Sequence, residues 1–356
     1  MYEQDYPQTP FRYLTRADVI EAAQGVDIVD AVEHALVLHS QGGTELPPEA
    51  YLGWTTPAGS AARLLAMPGA LWDAGRPVVG LKTINASLDN PARGIPRSQG
   101  FTLLLDPDTA RPTALMEAAF VSAMRTAAVT ALAVRELGVQ RPGALALLGC
   151  GELARAHAWL LATRVPSLER VVLYDEMPVR AKALAEQLTA LPAFAGVSVT
   201  VADSPRSCVA EAEIVVPVTT VTEGYLEPEW LRPGALVAHV SLDDLTERAV
   251  LAADLLVVDD WGLVSDDPRR LLGRMHRSGT LLGPDGEPRD GVTARPGARR
   301  VDGTLGDILT GRHPGRSDAR DIVVSNPFGM AVLDVAVADR IHARAEEAGI
   351  GRTLTL

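Results

Sequence analysis

Residues 144–175 constrain the fold more than any other stretch. Ala144–Leu148 (ALALL) is an apolar run with no polar break, as in a strand buried on both faces inside a parallel sheet. Gly149-Cys150-Gly151-Glu152-Leu153-Ala154 follows and fits G-x-G-x-x-[GA]. Leu153, Ala156 and Leu160 recur at helical spacing, and a second apolar run, Val171–Tyr174, leads into Asp175. Gly149 permits a tight turn, Gly151 lets backbone approach a pyrophosphate, and Ala154 lets the helix pack on the strand. The helix N-terminus, including Glu152 and Leu153, then offers N–H groups and a positive dipole end to phosphates. Glycine turns after strands are common, so the motif alone is weak. Its context strengthens it: a strand before, a helix after, and an acid 26 positions past Gly149 at the tip of the next strand. Asp175 can accept hydrogen bonds from ribose hydroxyls and would repel a 2′-phosphate, which favours NAD over NADP.

Past this unit, short apolar runs alternate with helical stretches: VTV (199–201), IVVPV (214–218), LVAHV (236–240) and LLVV (255–258). That is the pattern of a doubly wound α/β domain. Before it the pattern differs. A helix is expected near Arg16–Gln41, a polar loop over Gly42–Pro57, and strands at Arg63–Pro68, Val78–Ile84 and Phe101–Leu105. Turns rather than helices separate these strands, which suggests antiparallel pairing in a distinct α+β domain. Asp89–Gln99 reads as an ordered loop and Gly279–Arg300 as a loop or mobile insertion. Val121–Leu137, alanine-rich and closed by Gly138, is a strong helix that joins the two parts. A last helix over Ala331–Ala348 is left with no place in the completed α/β module and is expected to pack on the first domain. The expected division is therefore 1–125 plus 321–356 for the first domain, and 126–320 for the Rossmann domain.

Composition excludes several classes. A net charge of −12 argues against a nucleic-acid surface. No apolar run reaches the ~18 residues of a membrane span, and the first thirteen residues lack the basic start and apolar stretch of a signal peptide. Two cysteines, Cys150 and Cys208, suggest a reducing cytoplasm rather than a disulfide framework. The seven histidines show no metal-ligand spacing, and no metal site is expected.

Four stretches together resemble one family: GLKTINASLDNPARGIPRSQG (80–100), ALMEAAFVSAMRTAAVTALAVREL (114–137), ALLGCGELARAHA (146–158) and NPFGMAVLDVA (326–336). The chain resembles the ornithine cyclodeaminase/mu-crystallin family over nearly its whole length. The resemblance implies a homodimer built through a substrate domain made from both chain ends. It also implies an NAD-binding Rossmann domain and chemistry at an amine- or imine-bearing carbon beside a carboxylate. It assigns Lys82 and Arg125 to the substrate carboxylate, and Asp244 to general acid/base work. Stretches such as RLLAMP (63–68), HVSLDD (239–244) and LVVDDW (256–261) narrow the likeness to members that split an amino-acid adduct into 2-oxoglutarate and 2,3-diaminopropionate. Leu65 stands near the place where ornithine cyclodeaminases carry a glutamate for the distal amine, which puts an ornithine or lysine substrate in doubt. A cyclodeaminase, a ketimine reductase and a non-catalytic cofactor-binding protein remain the alternatives.

Each residue also has a reading from its own chemistry. Lys82 lies in an apolar strand, where a buried charge needs a partner or an edge position. Arg125 lies in a helix of small apolar residues, where a guanidinium needs a carboxylate, from substrate or from a structural acid. Asp243 and Asp244 follow a strand at the carboxyl edge, where doubly wound folds hold ligands. Asp243 reads as a helix N-cap and Asp244 as the acid/base. Thr219 and Thr220, after the strand 214–218, are placed against the cofactor. Arg63 and Arg97 are candidates for further carboxylate contacts. Asp334 faces the first domain without an assigned role, and His239 reads as a core residue rather than a base.

Overall fold

The computed structural model describes residues 8–356, so most of the leading segment that lacks signal-peptide character lies outside the described residues. In chain order, β1 (Pro10–Leu14), α1 (Arg16–Ala23), α2 (Ile28–Ser40), β2 (Thr44–Glu45), β3 (Ala50–Thr55), β4 (Ala61–Leu71), β5 (Val78–Ser87), β6 (Ser98–Leu105) and β7 (Pro112–Glu117) lead into the long α3 (Ala118–Leu137). Next come β8 (Ala144–Leu148), α4 (Glu152–Arg164), β9 (Arg170–Tyr174), α5 (Pro178–Thr189), β10 (Ser198–Val201), α6 (Pro205–Val209), β11 (Ile214–Pro217), β12 (Leu236–Ala238), α7 (Glu247–Leu251) and β13 (Leu255–Val258). The chain continues through α8 (Trp261–Asp266), α9 (Leu271–Arg277), β14 (Leu281–Leu282), β15 (Arg299–Arg300), β16 (Gly303–Thr304), α10 (Leu305–Leu309) and β17 (Val323–Asn326), and ends in α11 (Ala331–Ala348) and β18 (Arg352–Thr355). Two compact units result, one running through Arg125 and resuming at Met330, the other spanning Thr126–Gly329.

The first unit is built on a sheet of order β18-β1-β7-β6-β5-β4-β2, with β3 also on β4. From β2 to β7 the pairing is antiparallel, whereas β1 runs parallel to β7. The segment expected to be a polar loop, 42–57, contributes β2 and β3. The single helix expected over Arg16–Gln41 is two: α1 ends at Ala23, and Asp27 caps α2 by accepting from the N–H groups of Val29 and Asp30. Gly25 between them is a poor helix former, and an N-cap aspartate starts a new helix more readily than it continues an old one. α11 lies on one face of this sheet. A Cβ at Gly80 of β5 would come within 3.0 Å of the Val335 side chain, so the missing side chain is what lets the helix approach. Ten of its residues are buried, Asp334 among them.

The second unit carries a parallel sheet of order β10-β9-β8-β11-β12-β17-β13-β16. Strand order reverses between β8 and β11, the switch point at which such sheets hold ligands. The boundary expected at residue 320 falls later. β17 sits in the interior of this sheet, between β12 and β13, so the unit ends at Gly329 rather than at residue 320. Four residues are too few for periodicity to separate a strand from a helix entry. The segment 279–300 also differs from a plain loop: β14 and β15 pair within it, and Arg299 binds Asp302. α3 is long and apolar enough to cross a membrane by length and composition, but 78% of that stretch is buried in the protein.

Candidate functional site

In the second unit the glycine turn joins β8 to α4. Gly149 has φ +87°, and a Cβ there would stand 3.0 Å from the Val218 carbonyl oxygen, so only glycine fits. Its N–H donates to the Tyr174 carbonyl at 2.8 Å. Gly151 is the N-cap of α4 and supplies no side-chain cap. Beyond the glycine and its chain neighbours, no described atom lies within 4 Å of where its Cβ would be. Open space therefore lies over the helix N-terminus, while Ala154 is buried beneath it. Asp175 closes the turn: Oδ2 accepts from the Cys150 N–H at 2.8 Å and Oδ1 from the Met177 N–H at 2.9 Å. The Cys150 amide is thus spent on Asp175 rather than aimed outward, and each Asp175 oxygen retains a lone pair for a ribose hydroxyl. Burial, then Asp175, pushes the Cys150 thiol up to about 12, so it is no nucleophile. Glu152 pairs with Arg155, and the Leu153 carbonyl accepts from His157 at 2.7 Å. These residues fit a dinucleotide: a glycine turn, an uncapped helix end with room above it, and an acid at the β9 tip.

Asp244 follows β12 and is fully buried. Three hydroxyls donate to its carboxylate: Thr219 Oγ1 at 2.7 Å and the Tyr225 hydroxyl at 3.0 Å on Oδ1, and Ser241 on Oδ2. Burial raises its pKa, and the three hydrogen bonds act against that rise. The Thr219 hydroxyl, expected against the cofactor, is therefore committed to Asp244, while Thr220 is exposed on the same loop. His239 Nε2 accepts from the Asp244 N–H at 3.2 Å. Its Nδ1 lies 2.8 Å from the Asn326 side-chain nitrogen, which also donates to the His239 carbonyl at 3.1 Å. Burial, then Arg270, depresses His239 to about 3, so the ring stays neutral and is no base. Asp243 is not an N-cap. Thr246 caps α7, and Asp243 instead accepts from Arg274.

In the first unit, Lys82 on β5 is fully buried and its Nζ lies 2.7 Å from Asp334 Oδ2 on α11. Arg125 Nε donates to the other oxygen of Asp334 at 3.2 Å. Arg125 is also buried, and its terminal guanidinium nitrogens make no hydrogen bond among the described residues. Two cations share one carboxylate, leaving the cluster net positive. Burial lowers Lys82 to about 8, with Asp334 opposing the shift and Arg125 adding to it; Glu49 is a weaker attraction. Arg63 pairs across to Ala86 as Met67 pairs to Lys82, so the pleat puts Arg63 and Lys82 on one face of the sheet. Burial and the neighbouring Arg63 both lower Arg97. Neither arginine has a hydrogen-bonded or ion-paired carboxylate among the described residues. Ser241 and Tyr225 escaped sequence reasoning, and Asp334 was named there without a role. Asp334 alone left a signal, as one acid in a run of small apolar helix residues.

Fold and turn together define a doubly wound α/β protein of Rossmann type with a second α+β unit. The chain belongs to the ornithine cyclodeaminase/mu-crystallin family, whose model matches residues 12–349. It is 29% identical over 348 residues to N-((2S)-2-amino-2-carboxyethyl)-L-glutamate dehydrogenase of Staphylococcus aureus strain NCTC 8325, covering 97% of this chain and 98% of that protein. It is 26% identical over 338 residues to alanine dehydrogenase of Archaeoglobus fulgidus, covering 95% and 96%. The crystal structure of CmnK superimposes with a TM-score of 0.87 at 39% identity, covering 98% of each chain.

Proposed function

We propose that this chain is an NAD-dependent oxidoreductase that splits N-(2-amino-2-carboxyethyl)-L-glutamate into 2-oxoglutarate and 2,3-diaminopropionate, for siderophore or peptide natural-product synthesis. The observation that carries the reading is the excess of cations in the first unit. Arg63, Lys82, Arg97 and Arg125 have one hydrogen-bonded carboxylate among them, Asp334. A substrate with three carboxylates matches that excess; alanine, with one, does not. The Staphylococcus relative, named for this substrate, supports the choice. Bound NAD would accept a hydride from the substrate carbon. Lys82 and the free end of Arg125 hold the neighbouring carboxylate and so fix the direction of that C–H bond. Asp244 takes the amine proton as the imine forms, then assists water in splitting it. Asp175 favours NAD over NADP.

The partner we propose is a second copy of the chain. The sheet face opposite α11 presents Leu52 (59% exposed), Trp54 (45%) and Phe101 (47%) on one side of the pleat, an apolar surface that a homodimer would cover. Free Cys150 and Cys208 suit a cytoplasmic setting.

The test is to offer the adduct, ornithine, lysine, alanine and arginine with NAD and follow nicotinamide reduction. The reading expects reduction with the adduct and little with the others. Cyclic product from ornithine without net reduction would make it a cyclodeaminase. NAD binding without turnover of any of them would make it a binding protein.

A further inference from the structure

We propose that Asp244 exchanges its proton with substrate through the hydroxyls of Thr219 and Tyr225, not by direct contact. This rests on the reading of Asp244 as the acid/base. The carboxylate is fully buried, and what surrounds it on the side chain's own atoms is a set of hydroxyls. Thr219, Tyr225 and Ser241 are each partly exposed where Asp244 is not. A hydroxyl donates one proton and keeps two lone pairs, so it can accept a proton on one side while releasing its own on the other. The Thr219 oxygen accepts from the Val221 N–H at 3.2 Å and has a lone pair left. The Tyr225 oxygen accepts from no donor among the described residues. Ser241 is less suited, since its single proton also faces the Pro217 carbonyl at 2.9 Å. His239 is no competitor: it is sealed in the core, and its Nε2 lies 4.0 Å from the carboxylate while accepting the backbone N–H. Thr219 also borders the nucleotide turn, its Cα 3.3 Å from where a Cβ of Gly149 would be.

The balance is simple. The electron pair of the substrate C–H bond leaves with the hydride to NAD, and the nitrogen lone pair closes the C=N bond. The proton shed by nitrogen goes to the oxygen of Thr219 or Tyr225, whose own proton moves to Asp244 Oδ1. Nothing else is consumed.

The experiment uses the NAD-loaded protein with the adduct. Thr219→Val/Tyr225→Phe is expected to lose at least about 100-fold in kcat, with KM within about threefold of the parent. Each single variant loses less, because the other hydroxyl remains. Thr219→Ser, which keeps the hydroxyl, restores most of what Thr219→Val loses. NAD affinity, read by fluorescence, stays within about threefold in every variant, which separates a proton-transfer defect from a damaged fold. In the parent, rate against deuterium fraction curves, since two protons move together. A double variant with the parent's kcat, or a straight proton inventory, would overturn the relay. If Asp244→Asn also keeps the parent's kcat, the acid/base reading beneath it fails instead.

Discussion

Lys82 and Arg125 would be intolerable where they are without Asp334. Two buried cations and one carboxylate form a cluster in which removing the acid leaves both charges uncompensated. Asp334→Asn is therefore expected to lose about 3–5 kcal/mol of stability by chemical denaturation. Asp334→Glu, which keeps the charge, is expected to lose less. Lys82 also sets a pH dependence. With its pKa lowered from 10.5 to about 8, the free protein holds the charge below pH 8 and sheds it above. For a substrate carboxylate, kcat/KM should fall as pH rises through about 8, approaching tenfold per unit. Stability moves the other way. Between about 8 and 10.5 the unfolded chain still binds the proton that the folded chain has released, so this residue's contribution rises with pH across that window and is least below it. An apolar strand made Lys82 conspicuous in the sequence. The acid that holds it stood out on its helix but could not be given a role, because α11 is far along the chain and one aspartate in a helix has many ordinary uses. Asp243 was misread for a related reason: an acid after a strand has the look of a cap, and Arg274 lies beyond the reach of local pattern.

At the scale of elements, β8, its turn, α4 and β9 were legible because their constraints are local. Gly149 must be glycine for its backbone, and Gly151 leaves room that any side chain would fill. Gly151→Val is expected to fold with its thermal midpoint little changed yet lose NAD binding by titration. Gly149→Ala is expected to lose about 1–2 kcal/mol from its left-handed backbone alone, more with the Val218 carbonyl in the way. β17 was not legible. A four-residue run declares its place only through partners on both sides, and β12 and β13 are distant in sequence. α1 and α2 were merged for the opposite reason: apolar spacing continues past Ala23, where α1 ends, and across Asp27, whose capping hydrogen bonds begin α2.

At the scale of the whole molecule, the α/β class and a separate antiparallel-rich part could be read from the alternation of strands with helices in one region and with turns in the other. What lay beyond the sequence was which faces are covered. β3 fell in a stretch read as loop, and its apolar residues belong to the sheet face away from α11. If a second copy covers that face, Leu52→Asp with Trp54→Glu should turn a dimer into a monomer by sedimentation, with the fold retained.

The most direct measurement is the stoichiometry of the adduct reaction in the parent and in Asp244→Asn. The account predicts one 2-oxoglutarate, one 2,3-diaminopropionate and one reduced NAD for each adduct consumed, with the rate lowered about 100-fold or more in the variant. Nicotinamide reduction without cleavage of the adduct, or an unchanged rate in Asp244→Asn, would contradict it.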